Sequence, residues 1–260
     1  MDFGIMWQRR SDYMVPFLFA TAGRSGALDC CVNLLMEKGY TFTSNLTDPV
    51  THLILPVPSV DEDGHIKGDG PLQEVLAKLS PTATVIGGNL PQQLLGEHPV
   101  IDLLQDEDYV CQNAYITAHC AMALAAEQLD TTFRDCRCLI IGWGRIGKCL
   151  AEVMARLEAE ITVAVRNPRD KAILEALGYK SMDIAKIVPT DYELIFNTAP
   201  YLLLPDCRGN ALKIDLASKP GITGKDVIWA RGLPGKMAPA AAGKQMARRI
   251  LYYKIGRAHV

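Results

Sequence analysis

The chain has 260 residues, enough for one large domain or two smaller ones that each bury a hydrophobic core. Its net charge of -2 and its pI near 6.2 argue against nucleic acid or an anionic membrane surface as a partner. The 8 cysteines form no CxxC pair. A reduced cytoplasmic compartment therefore fits better than a disulfide scaffold, and we expect no metal site.

The first part of the chain alternates short apolar strands with helices. Strands are predicted at "MVPFLFATA", "YTFTS", "THLILPVP", "TATVIGG" and "VIDLL", and helices at "GRSGALDCCVNLLMEKG", "PLQEVLAKL" and "LPQQLLG". This order is typical of a parallel sheet covered by helices. Arg9 and Arg10 before the apolar run imitate a signal peptide, but the run is brief and we interpret it as the first strand. The polar stretch Ser59 to Gly70 is predicted to be a mobile loop over one sheet edge.

A long alanine-rich helix, "YVCQNAYITAHCAMALAAEQL", is predicted to connect two lobes and to lie buried between them. A second series of strands follows at "CRCLIIG", "ITVAV", "ELIFNTA", "KIDLAS" and "DVIWA". The last helix, "APAAAGKQMARRILYY", is predicted to cross back onto the first lobe. Residues 254–260, "KIGRAHV", match the translation of a sequencing adapter, and we expect them to be a non-native tail.

A glycine motif lies between the first strand and the first helix of this second series. Gly142, Gly144 and Gly147 form G-x-G-x-x-G, in which the glycines permit a tight turn, close approach of pyrophosphate and close packing of helix on strand. The helix N-terminus that follows favours anions. The whole turn is therefore predicted to bind a dinucleotide, together with the residues between its glycines, Trp143, Arg145 and Ile146.

The strand "ITVAV" ends at Arg166 instead of the carboxylate that usually holds the ribose hydroxyls. A guanidinium pairs with a 2′-phosphate, to which Asn167 can add a hydrogen bond and Arg169 a second charge. This pattern favours NADP over NAD, although NAD stays possible. Asn197 and Thr198 end a later strand at the edge where ligands bind, and they are predicted to contact the nicotinamide ribose or carboxamide.

These elements predict a two-lobed α/β protein. An N-terminal flavodoxin-like parallel-sheet domain is expected over residues 1–108. A C-terminal Rossmann NAD(P)-binding domain is expected over residues 109–253, which include the connecting helix and the last helix, with the active cleft between the lobes.

Several motifs resemble those of the NAD(P)-binding subunit of bacterial dipicolinate synthase. They are "IIGWGRIGK", "VAVR", "IFNTAP", "IDLASKPG" and above all "GLPGKMAPAAAG", while "LILPVP" and "NAYITAHCA" extend the similarity into the first lobe. The resemblance covers nearly all of the chain. Its "DLASxPG" and "GLPGxxAPxxAG" segments are far more specific than a glycine motif.

The resemblance implies an oxidoreductase that forms dipicolinate during sporulation. The substrate would be a dihydro- or hydroxytetrahydrodipicolinate, a small diacid, and the cofactor supplies the hydride chemistry while the protein positions the two rings. The resemblance also implies that the partner is the second, flavoprotein-like subunit of dipicolinate synthase. An oligomeric assembly and a place in the cytoplasm of the mother cell follow from it as well.

The family's motif on the connecting helix commonly reads Thr-x-Glu-Gly, whereas this chain has Thr117, Ala118, His119 and Cys120. His119 is either a catalytic replacement for that glutamate or a residue packed between the lobes. Lys236 is the other catalytic candidate, in a loop before the last helix. The predicted substrate-binding residues lie near strand ends or on one face of the connecting helix: Arg24, Ser25, Asn113, Thr117 and Lys219.

Two alternatives remain. A 2-hydroxyacid dehydrogenase shares the two-lobed plan but needs a late histidine, and this chain has none between His119 and His259. A non-catalytic module that senses NADP would need no general base, and turnover in the presence of the partner would separate it from the enzyme.

Overall fold

The computed structural model describes residues 17–255, with side chains described as far as residue 253. Arg9, Arg10, the first residues of the predicted strand at 14–16 and residues 256–260 of the predicted tail lie outside this range. In the described part of the chain, no helix is long and apolar enough to cross a membrane.

The first lobe is a parallel sheet of five strands with helices against its faces. Its elements are β1 (Leu18–Thr21), α1 (Gly26–Glu37), β2 (Thr41–Phe42), β3 (His52–Ile54), α2 (Leu72–Leu76), β4 (Thr84–Gly87), α3 (Gln92–Leu95) and β5 (Val100–Asp102). The strand order β2-β1-β3-β4-β5 is that of a flavodoxin-like sheet. The strands are shorter than the apolar runs in the sequence. Some residues of these runs, such as Leu55, are fully buried although they follow the last residue of their strand.

The segment from Ser59 to Gly70, predicted to be a mobile loop over one sheet edge, has buried residues and hydrogen bonds of its own. Ser59 and Ile66 are buried, and a short antiparallel bridge joins Val60 to Ile66. The segment reaches the carboxyl end of β1, where the Arg24 N–H donates to the Lys67 carbonyl oxygen at 2.8 Å. The backbone hydrogen bonds of this segment therefore hold it over the carboxyl edge of the first sheet.

The connecting helix α4 (Glu107–Gln128) follows a short 3-10 turn at Leu103–Gln105. Asp106 caps it, since its Oδ1 accepts from the Tyr109 N–H at 2.9 Å. Small buried residues, among them Ala118, Ala121 and Ala125, line the face that packs on the second lobe. The alanines allow the close approach of helices that the composition of this segment indicates.

The second lobe is a parallel sheet of six strands. Its elements are β6 (Arg137–Ile141), α5 (Arg145–Arg156), β7 (Glu160–Val165), α6 (Pro168–Ala176), β8 (Lys180–Asp183), β9 (Leu194–Asn197), β10 (Leu212–Asp215), β11 (Val227–Trp229) and α7 (Leu233–Met237), with 3-10 turns at Ile184–Lys186 and Pro189–Asp191. The strand order β11-β10-β9-β6-β7-β8 reverses at β6, as in a Rossmann fold. The predicted fold class, a flavodoxin-like lobe followed by a Rossmann lobe, is confirmed.

Two elements of this lobe were not predicted. Strand β8 carries the sequence KSMD, which has no apolar run because it lies at the edge of the sheet. Helix α7 contains Pro234 in its first turn and Gly235 at its centre, which is why its sequence reads as a loop. Lys236 is therefore in the last turn of a short helix, not in a loop.

The last helix, α8 (Pro239–Ile255), packs against α1 of the first lobe, as the sequence predicts. Met246 and Ile250 share a buried cluster with Leu28 of α1. A Cβ atom on Gly243 would lie 2.5 Å from the Ala27 carbonyl oxygen. Glycine at this position therefore lets the two helix backbones touch, which explains part of the "APAAAG" motif.

Candidate functional site

The glycine turn between β6 and α5 has the geometry that the motif predicts. Gly142 has a φ of +100° and donates its N–H to the Ala164 carbonyl oxygen at 3.0 Å. A Cβ atom on Gly147 would lie 2.2 Å from the Gly142 carbonyl oxygen, so α5 packs directly on the turn. A Cβ atom on Gly144 would meet nothing within 4 Å. The backbone at Gly144 is therefore open to a ligand, whereas Gly142 is needed for the turn and Gly147 for the packing of α5.

Helix α5 begins at this turn without a side-chain cap. By contrast, Ser25 caps α1, Asp106 caps α4 and Asn167 caps α6. The free N–H groups and the positive end of the α5 dipole are available to an anion. The cleft before them has a volume of about 320 Å³ and is lined by Val110, Asn113, Ala114, Gly144, Arg145, Ile146 and Thr198. This arrangement fits the pyrophosphate of a dinucleotide.

Trp143 contributes only its backbone to this turn. Its indole ring packs edge-on against Tyr179, with 5.7 Å between the ring centroids, and the Lys148 ammonium group lies 5.9 Å from the ring. The indole nitrogen is buried without a hydrogen-bond partner among the described residues. The Trp143 side chain thus belongs to the packing of the second lobe.

Arg145, the first residue of α5, is paired with a residue that the sequence did not single out. Its Nε and Nη2 donate to the two carboxylate oxygens of Glu107 at 2.9 and 2.6 Å. The hydrogen bonds from Arg145 lower the pKa of Glu107. This pair links the glycine turn to the first turn of α4.

Arg166 follows β7, and its exposed guanidinium lies 5.1 Å from the centroid of the Tyr201 ring. Tyr201 follows β9, on the other side of β6, so the contact spans the carboxyl end of the strand that leads into the glycine turn. A pocket of about 450 Å³ lies beside Arg166 and is lined by Val165, Arg166, Asn167, Pro168, Lys171, Ser181, Met182, Asp183 and Lys186. Three of its side chains are cationic, and two of these, Lys171 and Lys186, were missed because they lie in a helix and in a 3-10 turn.

Arg169 and Asn167 lie at the start of α6. The Asn167 side chain accepts a hydrogen bond from the Arg169 N–H at 2.9 Å, which makes Asn167 the cap of this helix. Asn167 lines the pocket, whereas Arg169 is exposed and does not. Arg166 and Asn167 therefore line the same pocket, and Arg169 lies outside its lining.

Asn197 and Thr198 are placed differently from one another. The Asn197 side chain is fully buried, and its Nδ2 donates to the Ala199 carbonyl at 3.0 Å and to Asp215 Oδ1 at 2.9 Å. The structure corrects the placement of Asn197, because its amide supports the loops from inside instead of lining the cleft. Thr198 does line the cleft, and its hydroxyl donates to the Ile141 carbonyl at 2.9 Å.

The N-terminal ends of α1 and α8 lie close together. The Ser25 hydroxyl accepts from the Leu28 N–H at 3.1 Å, and a Cβ atom on Gly26 would lie 3.1 Å from the Pro239 Cβ. Arg24 is exposed before α1, and Lys236 is exposed before α8. Lys67, which the sequence analysis missed, adjoins Arg24 through the backbone hydrogen bond between the two residues.

The predicted residues of α4 lie on different faces. Asn113 lines the cleft, and Thr117 is buried with its hydroxyl bonded to the Asn113 carbonyl at 2.7 Å. His119 is exposed and packs against Tyr115, with 4.5 Å between the ring centroids and 54° between the ring planes. Since His119 does not line the cleft with Asn113, the structure does not bring the predicted general base to the glycine turn. Lys219 is exposed after β10, outside the cleft lining.

Among the residues that the structure describes, no group of His, Cys, Asp and Glu could hold a metal ion.

The two sheets, the long helix between them and the open glycine turn define a fold class, that of the two-lobed proteins with a flavodoxin-like lobe and a Rossmann lobe. The protein is similar to a dipicolinate synthase subunit from Bacillus halodurans, with a TM-score of 0.79 and 21% identity over 92% of this chain and 98% of that one. For one chain of dipicolinate synthase from Bacillus subtilis, the TM-score is 0.78 and the identity 21%, over 95% and 99% of the two chains.

The apo-structure of D-lactate dehydrogenase from Escherichia coli is more distant. Its TM-score is 0.61, with 12% identity over 92% of this chain and 97% of that chain. No family model and no curated protein sequence matches the chain. At these identities the comparisons concern the fold, and at that level they confirm the resemblance to dipicolinate synthase that the motifs indicated.

Proposed function

We propose that this protein is an oxidoreductase subunit that forms dipicolinate with NADP as cofactor. The observation that carries the proposal is the fold shared with the Bacillus halodurans dipicolinate synthase subunit over 92% of the chain. The motif segments agree with it, since "GLPGKMAPAAAG" forms α7 and the start of α8, which adjoin the N-terminus of α1.

The proposed reaction has two parts. A hydroxytetrahydrodipicolinate loses its hydroxyl group and a ring proton as water and becomes a dihydropyridine. Loss of a hydride and a proton from that ring leaves aromatic dipicolinate. A nicotinamide held at the glycine turn would supply the hydride acceptor, and the protein's own task is to hold the two rings together and exclude water.

The glycine turn and the N-terminus of α5 would hold the pyrophosphate, with Arg145 beside them. Arg166 and the pocket next to it support NADP over NAD, because a 2′-phosphate there would meet a guanidinium and the ammonium groups of Lys171 and Lys186, against the one carboxylate of Asp183. Thr198 would line the nicotinamide half of the cleft.

A diacid calls for positive charge on its carboxylates. The N-termini of α1 and α8 meet, and Arg24, Lys67 and Lys236 lie in the segments that adjoin them. Helix N-termini and cations together favour carboxylates. We propose that the region around these two N-termini holds the substrate. The protein would work in the cytoplasm of a sporulating cell, in an oligomer with the flavoprotein-like subunit of the synthase.

The test is turnover of freshly prepared hydroxytetrahydrodipicolinate, with NADP+ or NAD+, in the presence and absence of the candidate flavoprotein-like partner. Reduction of the cofactor and formation of dipicolinate would be followed together by their separate ultraviolet bands. Matched amounts of the two products, formed faster with NADP+, are expected. Binding of NADP+ without turnover when the partner is present would contradict the enzyme.

A non-catalytic module that senses NADP is the second candidate. The exposed position of His119 favours it, because no imidazole lines the cleft among the described residues. Such a module would bind NADP+ with the same glycine turn and change the activity of a partner without consuming the cofactor. The turnover experiment separates the two functions.

A further inference from the structure

Arg145 carries a guanidinium beside the proposed pyrophosphate site, and this guanidinium already has a carboxylate partner. Its Nε and Nη2 form a bidentate pair with Glu107, at 2.9 and 2.6 Å. These two nitrogens form one of the two donor edges with which a guanidinium can bind a phosphate bidentately, and the other edge shares Nη2 with it. A phosphate on the edge of Nε and Nη2 therefore excludes Glu107 from it.

The backbone of Glu107 is held in place, because both of its neighbours are tied to α8. Asp106 and Asp108 both accept hydrogen bonds from Arg249 of α8, at 2.9 Å from Nε to Asp106 and 2.7 Å from Nη1 to Asp108. Asp106 also caps α4. A rotation of the Arg145 side chain toward a phosphate would thus move its guanidinium away from the fixed backbone that carries Glu107.

The pair is also easy to separate. The side chains of Arg145 and Glu107 are 54% and 69% exposed, so water can solvate the carboxylate once the guanidinium has moved. The adjacent cleft contains Gly144 and the uncapped N-terminus of α5, which give an anion further partners.

We propose that Glu107 sets the affinity of the site for its dinucleotide by competing with the pyrophosphate for Arg145. The inference rests on the proposed binding of a dinucleotide at the glycine turn and adds to it a residue that weakens binding. Because the competition concerns the pyrophosphate, it affects NADP+ and NAD+ equally. It is therefore distinct from the choice between the two cofactors at Arg166.

The test is calorimetric titration of the full chain with NADP+ and with NAD+. Glu107→Gln is expected to tighten the binding of both cofactors about two- to fivefold, the range that an exposed ion pair can contribute. Glu152→Gln is the matched control, since Glu152 forms a comparable exposed pair with Arg156 at 2.6 Å on α5. It removes the same charge and is expected to leave both affinities unchanged.

A second pair of variants tests whether the effect passes through Arg145. In an Arg145→Ala background, Glu107→Gln is expected to change neither affinity. Tightening that persists there would show long-range repulsion instead and overturn the proposal, as would unchanged or weaker binding by Glu107→Gln alone. Thermal unfolding of each variant shows that it is folded. A wild-type chain that binds neither dinucleotide would defeat the proposed function itself, and the inference with it.

Discussion

Asp215 holds two loops at the carboxyl edge of the second sheet with one buried carboxylate. Its Oδ1 accepts from Asn197 Nδ2 at 2.9 Å and from the Ala217 N–H at 3.0 Å. Its Oδ2 accepts from the N–H groups of Gly221 and Ile222 at 2.6 and 2.9 Å. Asp215 is fully buried, and these donors replace the water that a carboxylate otherwise needs. The shape of the cleft wall around Thr198 therefore depends on it.

Asp215→Asn is expected to lower the free energy of unfolding by about 2–3 kcal/mol, because the new amide group turns a donor toward backbone N–H groups. Urea unfolding measures the loss. Asp191→Asn, at an exposed position, is the control and is expected to change stability by less than about 0.5 kcal/mol. Equal stability of the two variants would show that the hydrogen-bonded carboxylate of Asp215 does not stabilise the fold.

Arg166 is the residue on which the preference for NADP depends. Arg166→Gln removes the charge, keeps much of the side-chain length and is expected to weaken NADP+ binding about tenfold, by loss of a charged hydrogen bond. NAD+ binding should change by less than about twofold, since NAD+ carries no 2′-phosphate. Calorimetric titration measures the affinity of the variant for each cofactor, and Arg169→Gln serves as comparison. An equal loss for the two cofactors would assign Arg166 to stacking or general attraction.

At the scale of the elements, the glycines of the turn from β6 to α5 have different roles, some in folding and one in ligand binding. Gly147 is in contact with the Gly142 carbonyl, and Gly144 faces open space. Gly144 also has a φ of -78°, which any residue can adopt. The same substitution should therefore have opposite consequences at the two positions.

Gly144→Ala is expected to keep stability within about 1 kcal/mol of wild type and to abolish detectable dinucleotide binding, because the methyl group occupies the approach to the backbone. Gly147→Ala is expected to unfold at lower temperature, because its Cβ meets a carbonyl oxygen. Thermal unfolding and titration with NADP+ are measured on both variants. Normal binding by Gly144→Ala would place the phosphates elsewhere.

At the scale of the whole molecule, one buried ion pair joins the last helix to the start of the connecting helix. Arg249 and Asp106 are only 7% and 6% exposed, and the Tyr253 hydroxyl adds a hydrogen bond of 2.5 Å to Asp106. Burial by itself would raise the pKa of Asp106, but hydrogen bonds from Tyr253, the Tyr109 N–H and Arg249 outweigh it, and the pKa is lowered. The pair thus fastens α8 to the first turn of α4.

Arg249→Met is expected to destabilise the chain by about 3–5 kcal/mol, because it leaves the Asp106 carboxylate buried without its cation. Arg248→Met, at the exposed neighbouring position, is the control. Since the folded-state pKa of Asp106 is below its unfolded value, its stabilising contribution is present above the unfolded pKa and is lost as the pH falls through the folded pKa. Wild type should therefore lose stability more steeply than Asp106→Asn below about pH 4, and parallel acid-unfolding curves would contradict this assignment.

Much of this architecture could be read from local patterns. Apolar runs ended by glycine and proline predict most strands, and the glycine motif predicts the turn at Gly142 with its helix. The misses have local reasons as well. Strand β8 has no apolar run because it lies at the edge of the sheet. Helix α7 contains the proline and glycine that usually mark loops.

The ion pairs around the site could not be predicted from local sequence patterns. Glu107 and Arg145 are separated by 38 positions, and Asp106 and Arg249 by 143, so no spacing in the chain brings them together. The burial of Asn197 and the exposure of His119 likewise depend on which face of a strand or helix meets its neighbours.

Element type, the glycine turn and the charge at Arg166 are local properties, because a few adjacent residues suffice for each. The partner of each arginine, the burial of Asn197 and Asp215 and the meeting of the α1 and α8 N-termini come from packing, because they depend on contacts between segments far apart in the chain.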